Sequence, residues 1–358
     1  MIWLRPGLER TGLFPAALAA DVNGSVLDAA LFDVDGVLID VTGSYRLSVI
    51  AASEHIVRSV NGLTEAPGPL ITDEDVAAFK RAGGFNSDWD LAQALAALWT
   101  ARLREWRGKP EAEVPLTEWA RRASEAAHEG CGGLQWLHEA VPESAIPPWD
   151  EARWIHDEFY WGAKLLREVY GREPRYAPDA PGVVVNEELL LAPNVLPALV
   201  RMGITRFGLI TGRNGAEVAW VLRRLNEGSG LSEDDPTSEV GWFESTHGGS
   251  PFRGIVPSDV FTKPDPRALA HAVMSVEARG AVYVGDTADD LAVVLRYRSE
   301  LRPQDTSLPP VLAVMIAEGP TADVYRERGA DILLSHIREL PEALAALGAP
   351  VAPPTESD

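Results

Sequence analysis

Hydrophobic positions fall into two rhythms along this chain. Residues 29–34, AALFDV, form a short apolar run of strand formers that leads into acidic residues and a glycine. That pattern predicts a buried strand running into a loop. Comparable runs return at 206–210 (RFGLI), 281–284 (AVYV), 311–316 (VLAVMI) and 332–334 (ILL). Stretches with helical spacing lie between them, at 195–202, 216–225, 266–277, 291–298 and 322–328. Strand and helix alternating in this way predict an α/β fold, a Rossmann-like parallel sheet with helices on both faces.

From about 42 to 185 the rhythm is helical with little strand signal. Thr72 precedes Asp73, Glu74 and Asp75, an N-cap followed by acidic first-turn residues. Ser87 is placed to open a helix over 88–107 and Thr117 one over 118–128; a longer helix is predicted over 149–170, closed by Gly171. Eight of the 11 tryptophans lie here, at Trp89, Trp99, Trp106, Trp119, Trp136, Trp149, Trp154 and Trp161, and such aromatic stripes are usually packing. The expected organisation is a discontinuous α/β core at 1–41 and 192–345, an enlarged helical insertion at 42–191, and a disordered Pro-rich tail at 346–358.

Composition narrows the function. The 358 residues are 46% hydrophobic and 24% charged, as in ordinary globular chains, and no apolar run approaches the length of a bilayer span. No secretory signal is read at the start, and the single cysteine, Cys131, offers neither an internal disulfide nor a zinc cluster. The expected compartment is the cytoplasm. A net charge of −21 argues against nucleic-acid or membrane partners. It also repels phosphate esters, so a phosphate site needs local positive charge. Only 4 of the 32 basic residues are lysine, one of them Lys263.

The chemistry gathers at the predicted strand ends, where ligands bind in open α/β sheets. Asp33-Val34-Asp35-Gly36 follows the first strand. Asp33 is placed to attack phosphorus, and Asp35 to protonate a leaving oxygen and later deprotonate water. The strand at 206–210 ends in Thr211-Gly212-Arg213, a hydroxyl and a glycine backbone suited to a phosphate oxygen. Lys263 follows 52 residues after Thr211 and balances the charge of nucleophile and phosphoryl group. After a further 23 residues, Asp286 and then Asp290 follow the strand at 281–284. Such carboxylates suit Mg²⁺, with Asp286 as the direct ligand and Asp290 bonding a metal-bound water or Lys263.

In this order the four sites resemble the haloacid dehalogenase superfamily, in the subfamily I arrangement with a helical cap between the first and second motifs. The resemblance spans roughly 28–41 and 192–340. It implies a magnesium-dependent phosphatase acting through an aspartyl-phosphate on Asp33, with metal contacts from Asp33, Asp286 and the backbone carbonyl of Asp35. Dehalogenases lack the second aspartate, because halide needs no proton on leaving; Asp35 therefore favours phosphoryl chemistry. The expected partner is a small phosphorylated metabolite. A phosphomutase of the β-phosphoglucomutase type shares every core residue, and a non-catalytic binding protein would not need the complete set.

The cap is longer than the simplest ones of the family. The loop 83–89 (GGFNSDW) is read either as reaching the substrate through Asn86 and Trp89 or as a helix connection with Trp89 in the cap core. Arg46 and Arg213 are candidates for holding a second anionic group, set against the commoner part of a solvated or structural arginine.

Overall fold

The computed structural model describes residues 1–5, 27–65, 68–82, 84–85, 87–231, 243–245 and 248–347. Asn86 and the tail residues 348–358 lie outside them. Two compact units emerge, one formed by Met1–Asp40 with Glu188–Asp358, the other by Val41–Glu187.

The first unit is α/β. Its strands are β1 (Trp3–Leu4), β2 (Ala29–Phe32), β3 (Ile39–Asp40), β4 (Glu188–Leu189), β5 (Arg206–Ile210), β6 (Phe243–Ser245), β7 (Gly248–Ser250), β8 (Phe252–Val256), β9 (Ala281–Gly285), β10 (Val311–Ile316) and β11 (Ile332–Leu334). Seven of them build one sheet in the order β1-β11-β10-β9-β2-β5-β8. Every pair is parallel except β1 with β11 at one edge. Strands β2 and β9 are buried at every position, as a sheet covered on both faces requires. The pattern did not predict β8. Its burial alternates along Phe-Arg-Gly-Ile-Val because it is an edge strand, and Arg253 interrupts the apolar run.

Chain order reverses around β2, which has β5 on one side and β9 on the other. Phe32 lies level with Leu209 and Val284, so three strands end side by side. Beyond this edge, β3 and β4 pair antiparallel through Ile39 with Leu189 and Asp40 with Glu188.

Among the described residues, the second unit consists of helices α1 (Tyr45–His55), α2 (Asp73–Ala82), α3 (Asp88–Leu103), α4 (Leu116–His128), α5 (Leu134–Ala140) and α6 (Trp149–Tyr170), with short 3₁₀ and π turns. The expected caps hold at α2, where Thr72 and Asp75 bond reciprocally, and at α3, where Ser87 accepts from Asp90 N. Thr117 caps nothing. Pro115 enters α4 two residues earlier, its carbonyl accepting from Glu118 N and Trp119 N. Phe79, Phe85, Trp106, Trp119 and Trp136 build an aromatic core within this unit. The α6 segment is one helix in its pattern but is broken at Gly162.

The first unit's remaining helices are α7 (Val195–Arg201), α8 (Gly215–Gly228), α9 (Pro266–Ser275), α10 (Ala288–Arg296), α11 (Gly319–Arg328) and α12 (Leu340–Ala346). No helix among the described residues is long and apolar enough to cross a membrane.

Candidate active site

Asp33 is the first residue beyond β2, and its backbone N–H still reaches Val284 O at 2.8 Å. The chain then turns back sharply. Gly36 N donates to Ile39 O, and Leu38 N and Ile39 N both donate to Val34 O. Gly36 holds this turn at φ +76°, and a Cβ there would stand 2.1 Å from Asp286 Oδ2. Glycine is therefore required twice, for the backbone angle and for the approach of the Asp286 carboxylate.

Lys263, between β8 and α9, ties the centre together. Its Nζ lies 2.8 Å from Asp33 Oδ2 and 2.7 Å from Asp290 Oδ1. Burial works against the lysine's charge, but Asp33 and Asp290 overcome it and hold its pKa above the usual lysine value. Burial pushes the Asp33 carboxyl well above the carboxylate range; Lys263 pulls it back, while Asp290, Asp286 and Asp35 push it up. Asp286, following β9, is raised to about 7, by burial first and then by Asp290. Three carboxylates around one ammonium leave this buried centre with uncompensated negative charge.

Asp290 is the N3 residue of the capping box that Thr287 opens on α10. Its Oδ1 accepts from Lys263 Nζ and from Tyr283 Oη at 2.6 Å. Its Oδ2 accepts from Thr287 N, Thr287 Oγ1 and Asp286 N. Burial would raise its pKa, yet Lys263, Thr287 and Tyr283 hold it low. Of the two roles expected for Asp290, its atoms are engaged in holding Lys263. Both oxygens accept from several donors, Oδ1 from two and Oδ2 from three.

One oxygen each of Asp33, Asp286 and Asp290 fall within 4.8 Å of one another, a spacing a metal ion can bridge. Asp286 Oδ1 is buried without a hydrogen-bond partner among the described residues. An orphaned carboxylate oxygen in an over-negative pocket fits a divalent cation, with Asp286 and Asp33 as the carboxylate donors. Oδ1 of Asp35 is taken by Arg213, and the metal contact that the resemblance implies for this residue is its backbone carbonyl.

The phosphate-binding candidates follow β5. Thr211 is buried; its N–H bonds Val256 O at 3.1 Å, its Oγ1 accepts from Arg213 N, and its O–H meets no acceptor among the described residues. Gly212 is exposed, and its N–H has no described partner. A hydroxyl and an amide donor are thus left available on one loop.

Arg213 corrects an expectation. It is buried rather than turned out to an anion, and its guanidinium grips Asp35, with Nη2 at 2.7 Å and Nε at 2.9 Å from Oδ1. Arg46 forms an exposed pair with Asp73. Trp89 packs inside the helical unit: its Nε1 donates to Asp157 Oδ1 at 2.9 Å, its ring meets Trp149 edge-on, and Arg153 lies over its face at 4.3 Å. Gly84 is held at φ +80° against Gly133, where a Cβ would stand 2.4 Å from Gly133 N.

Two residues of the centre escaped the sequence reading. Tyr283 passes as a strand former within β9, and Tyr325, on α11, donates to the backbone O of Asp286 at 2.9 Å. Residues alternate across a strand, which places Tyr283 on the face of Gly285; no local pattern signals Tyr325.

The model of the haloacid dehalogenase-like hydrolases matches residues 27–294. Among curated proteins, an imidazoleglycerol-phosphate dehydratase from Phytophthora nicotianae is 25% identical over 274 residues, 75% of this chain and 41% of that protein. The chain thus spans about two-fifths of the length of that relative. Among solved structures, phosphatase Tt82 from Thermococcus thioreducens aligns with a TM-score of 0.57 at 22% identity, covering 88% of this chain and 98% of that one. A hydrolase of the same family from Deinococcus radiodurans R1 aligns at 0.42 and 17%, over 92% and 100%. With three quarters of its length matched by the family model and its acidic residues gathered beyond the central strands, this chain belongs to the haloacid dehalogenase-like hydrolases.

Proposed function

We propose that this hydrolase is a magnesium-dependent phosphatase that cleaves a small phosphate monoester through an aspartyl-phosphate on Asp33. The observation that carries the reading is the convergence on Asp33. Lys263 touches it, an oxygen of Asp286 lies within 4.8 Å of one of its own, and the same chain supplies a second aspartate two residues on. Mg²⁺ held by Asp33, Asp286 and the Asp35 carbonyl would neutralise the phosphoryl oxygens and make phosphorus more electrophilic.

Within that frame the protein's own groups account for each step. The phosphoryl oxygens are held by Lys263 Nζ, the Thr211 hydroxyl and Gly212 N–H. A carboxylate oxygen of Asp33 attacks phosphorus, the bond to the alkoxide oxygen breaks, and Asp35 gives that oxygen a proton. Asp35 then takes a proton from water. The water oxygen attacks phosphorus, the Asp33–phosphorus bond breaks, and inorganic phosphate leaves. Lys263 and Tyr283 meet at Asp290, and this keeps the lysine beside Asp33 throughout.

Phosphate release from a panel of phosphorylated sugars, alcohols and acids, measured with Mg²⁺ and again after chelation, tests the proposal. Hydrolysis of at least one monoester, lost in chelator and restored by Mg²⁺, is expected. No release from any of them, with any divalent cation, would overturn it.

A further inference from the structure

Asp35 is gripped unevenly. Oδ1 receives two short hydrogen bonds from Arg213, whereas Oδ2 has only a 3.3 Å approach from Nε among the described residues. The guanidinium is planar and rigid, so its two bonds pin Oδ1 in place, and the longer Nε approach to Oδ2 restrains the turn of the carboxyl group about it. The burial is uneven too: the Arg213 side chain is 1% exposed and that of Asp35 24%. The arginine is shut in, and the carboxyl group it holds stays partly exposed.

The arginine is itself anchored. Its N–H bonds Thr211 Oγ1 at 3.1 Å and its carbonyl accepts from Ser258 N at 2.9 Å. The next residue, Asn214, opens α8 through a capping box with Glu217. Burying a guanidinium carries a desolvation cost that a surface ion pair would avoid. A solvent-shielded arginine also makes a poor anchor for an incoming anion.

We infer that Arg213 is a positioning residue: it holds Asp35 by Oδ1 so that Oδ2 exchanges protons with the leaving oxygen and the attacking water. Thr211 and Arg213 share one loop, so the phosphoryl grip and the aim of the proton-exchanging oxygen are set together. This inference rests on the role proposed for Asp35.

The test compares an alkyl phosphate, whose leaving oxygen needs a proton, with an activated aryl phosphate, which does not. Arg213→Gln should lower kcat for the alkyl ester roughly 100-fold and for the aryl ester less than about 5-fold, with KM changed less than about twofold. Arg213→Lys should regain about tenfold on the alkyl ester, since it keeps the charge but not the fork. In an Asp35→Asn background, Arg213→Gln should leave the alkyl-to-aryl ratio unchanged. Equal losses on both esters, or a raised KM with kcat intact, would overturn the inference in favour of a structural or substrate-binding arginine. Should Arg213→Gln not fold, the lysine variant decides: a drop confined to the alkyl ester supports the inference, an equal drop overturns it. Asp35→Asn alone separates the two levels. If it penalises both esters alike, the role of Asp35 fails; if it spares the aryl ester while the Arg213 variants do not, only the positioning role fails.

Discussion

Two short segments of this chain look alike on paper. The turn Asp33–Gly36 and the loop 83–89 each join glycine to side chains able to bind a ligand. Their surroundings separate them. At the turn, groups from distant places in sequence, Lys263, Asp286 and Arg213, come to the same two aspartates, and the centre keeps an orphaned buried oxygen. At the loop, the described residues turn into their own unit. Gly84 is pressed against Gly133, Phe85 is buried among aromatic rings, and Trp89 is hydrogen-bonded to Asp157 beneath Arg153. What marks a site is convergence of separated residues on one chemistry, with a charge left unbalanced. A run of polar and glycine residues is equally good packing material.

The sharpest way to break the comparison is to neutralise the turn. Asp33→Asn should lower turnover by at least about 10³-fold, because the nucleophile itself is gone. The fold should survive. In metal-free buffer its melting temperature should rise, since one of three crowded carboxylates no longer repels the others. Phosphatase activity persisting in a verified Asp33→Asn protein, or a protein that unfolds, would place the residue in the packing category instead.

The loop should respond in the opposite sense. Gly84→Ala adds a Cβ 2.4 Å from Gly133 N at a φ of +80°. It should cost roughly 3–4 kcal/mol, combining backbone strain with overpacking. Trp89→Ala removes a half-buried ring and strands the Asp157 acceptor; about 3 kcal/mol, the low end for a core tryptophan, is expected. Denaturant unfolding of the pure proteins gives both values. For Trp89→Ala, kcat/KM should fall by the same factor on a natural substrate and a small generic phosphate. A loss confined to the natural substrate, with stability intact, would make the loop a specificity element after all.

Why the turn was legible and the loop was not has a physical basis. The α/β core announces itself through apolar runs, and strand ends dictate where catalytic groups must sit. Asp33, Thr211, Lys263 and Asp286 could be named because their chemistry fixes both residue type and position. Side-chain partnership is another matter. Arg213 reads as a free cation until the fold brings it to Asp35, 178 residues away. Tyr283 reads as strand filler until Asp290 is found against its hydroxyl. The helix expected over 88–107, and seen over Asp88–Leu103, carries Trp89, but Asp157 and Arg153, which hold it, are far along the chain.

The smallest expected effect tests the comparison from its quiet side. Arg46 and Asp73 form an ion pair at 3.0 Å whose side chains are 43% and 63% exposed. Solvent screens such a pair, and holding two long side chains together costs entropy, so it contributes little. Asp73 keeps its favourable place in the first turn of α2 whether or not Arg46 is present. Arg46→Ala should therefore change stability by no more than about 0.5 kcal/mol, a melting shift of roughly 1–2 °C. Kinetics should be equally silent: kcat and KM for every phosphate ester should stay within about twofold, a change worth less than about 0.5 kcal/mol. A tenfold rise in KM for an ester carrying a second anionic group, with no rise for one that lacks it, would contradict this. Arg46 would then be gripping substrate, and an exposed ion pair would have concealed a binding residue.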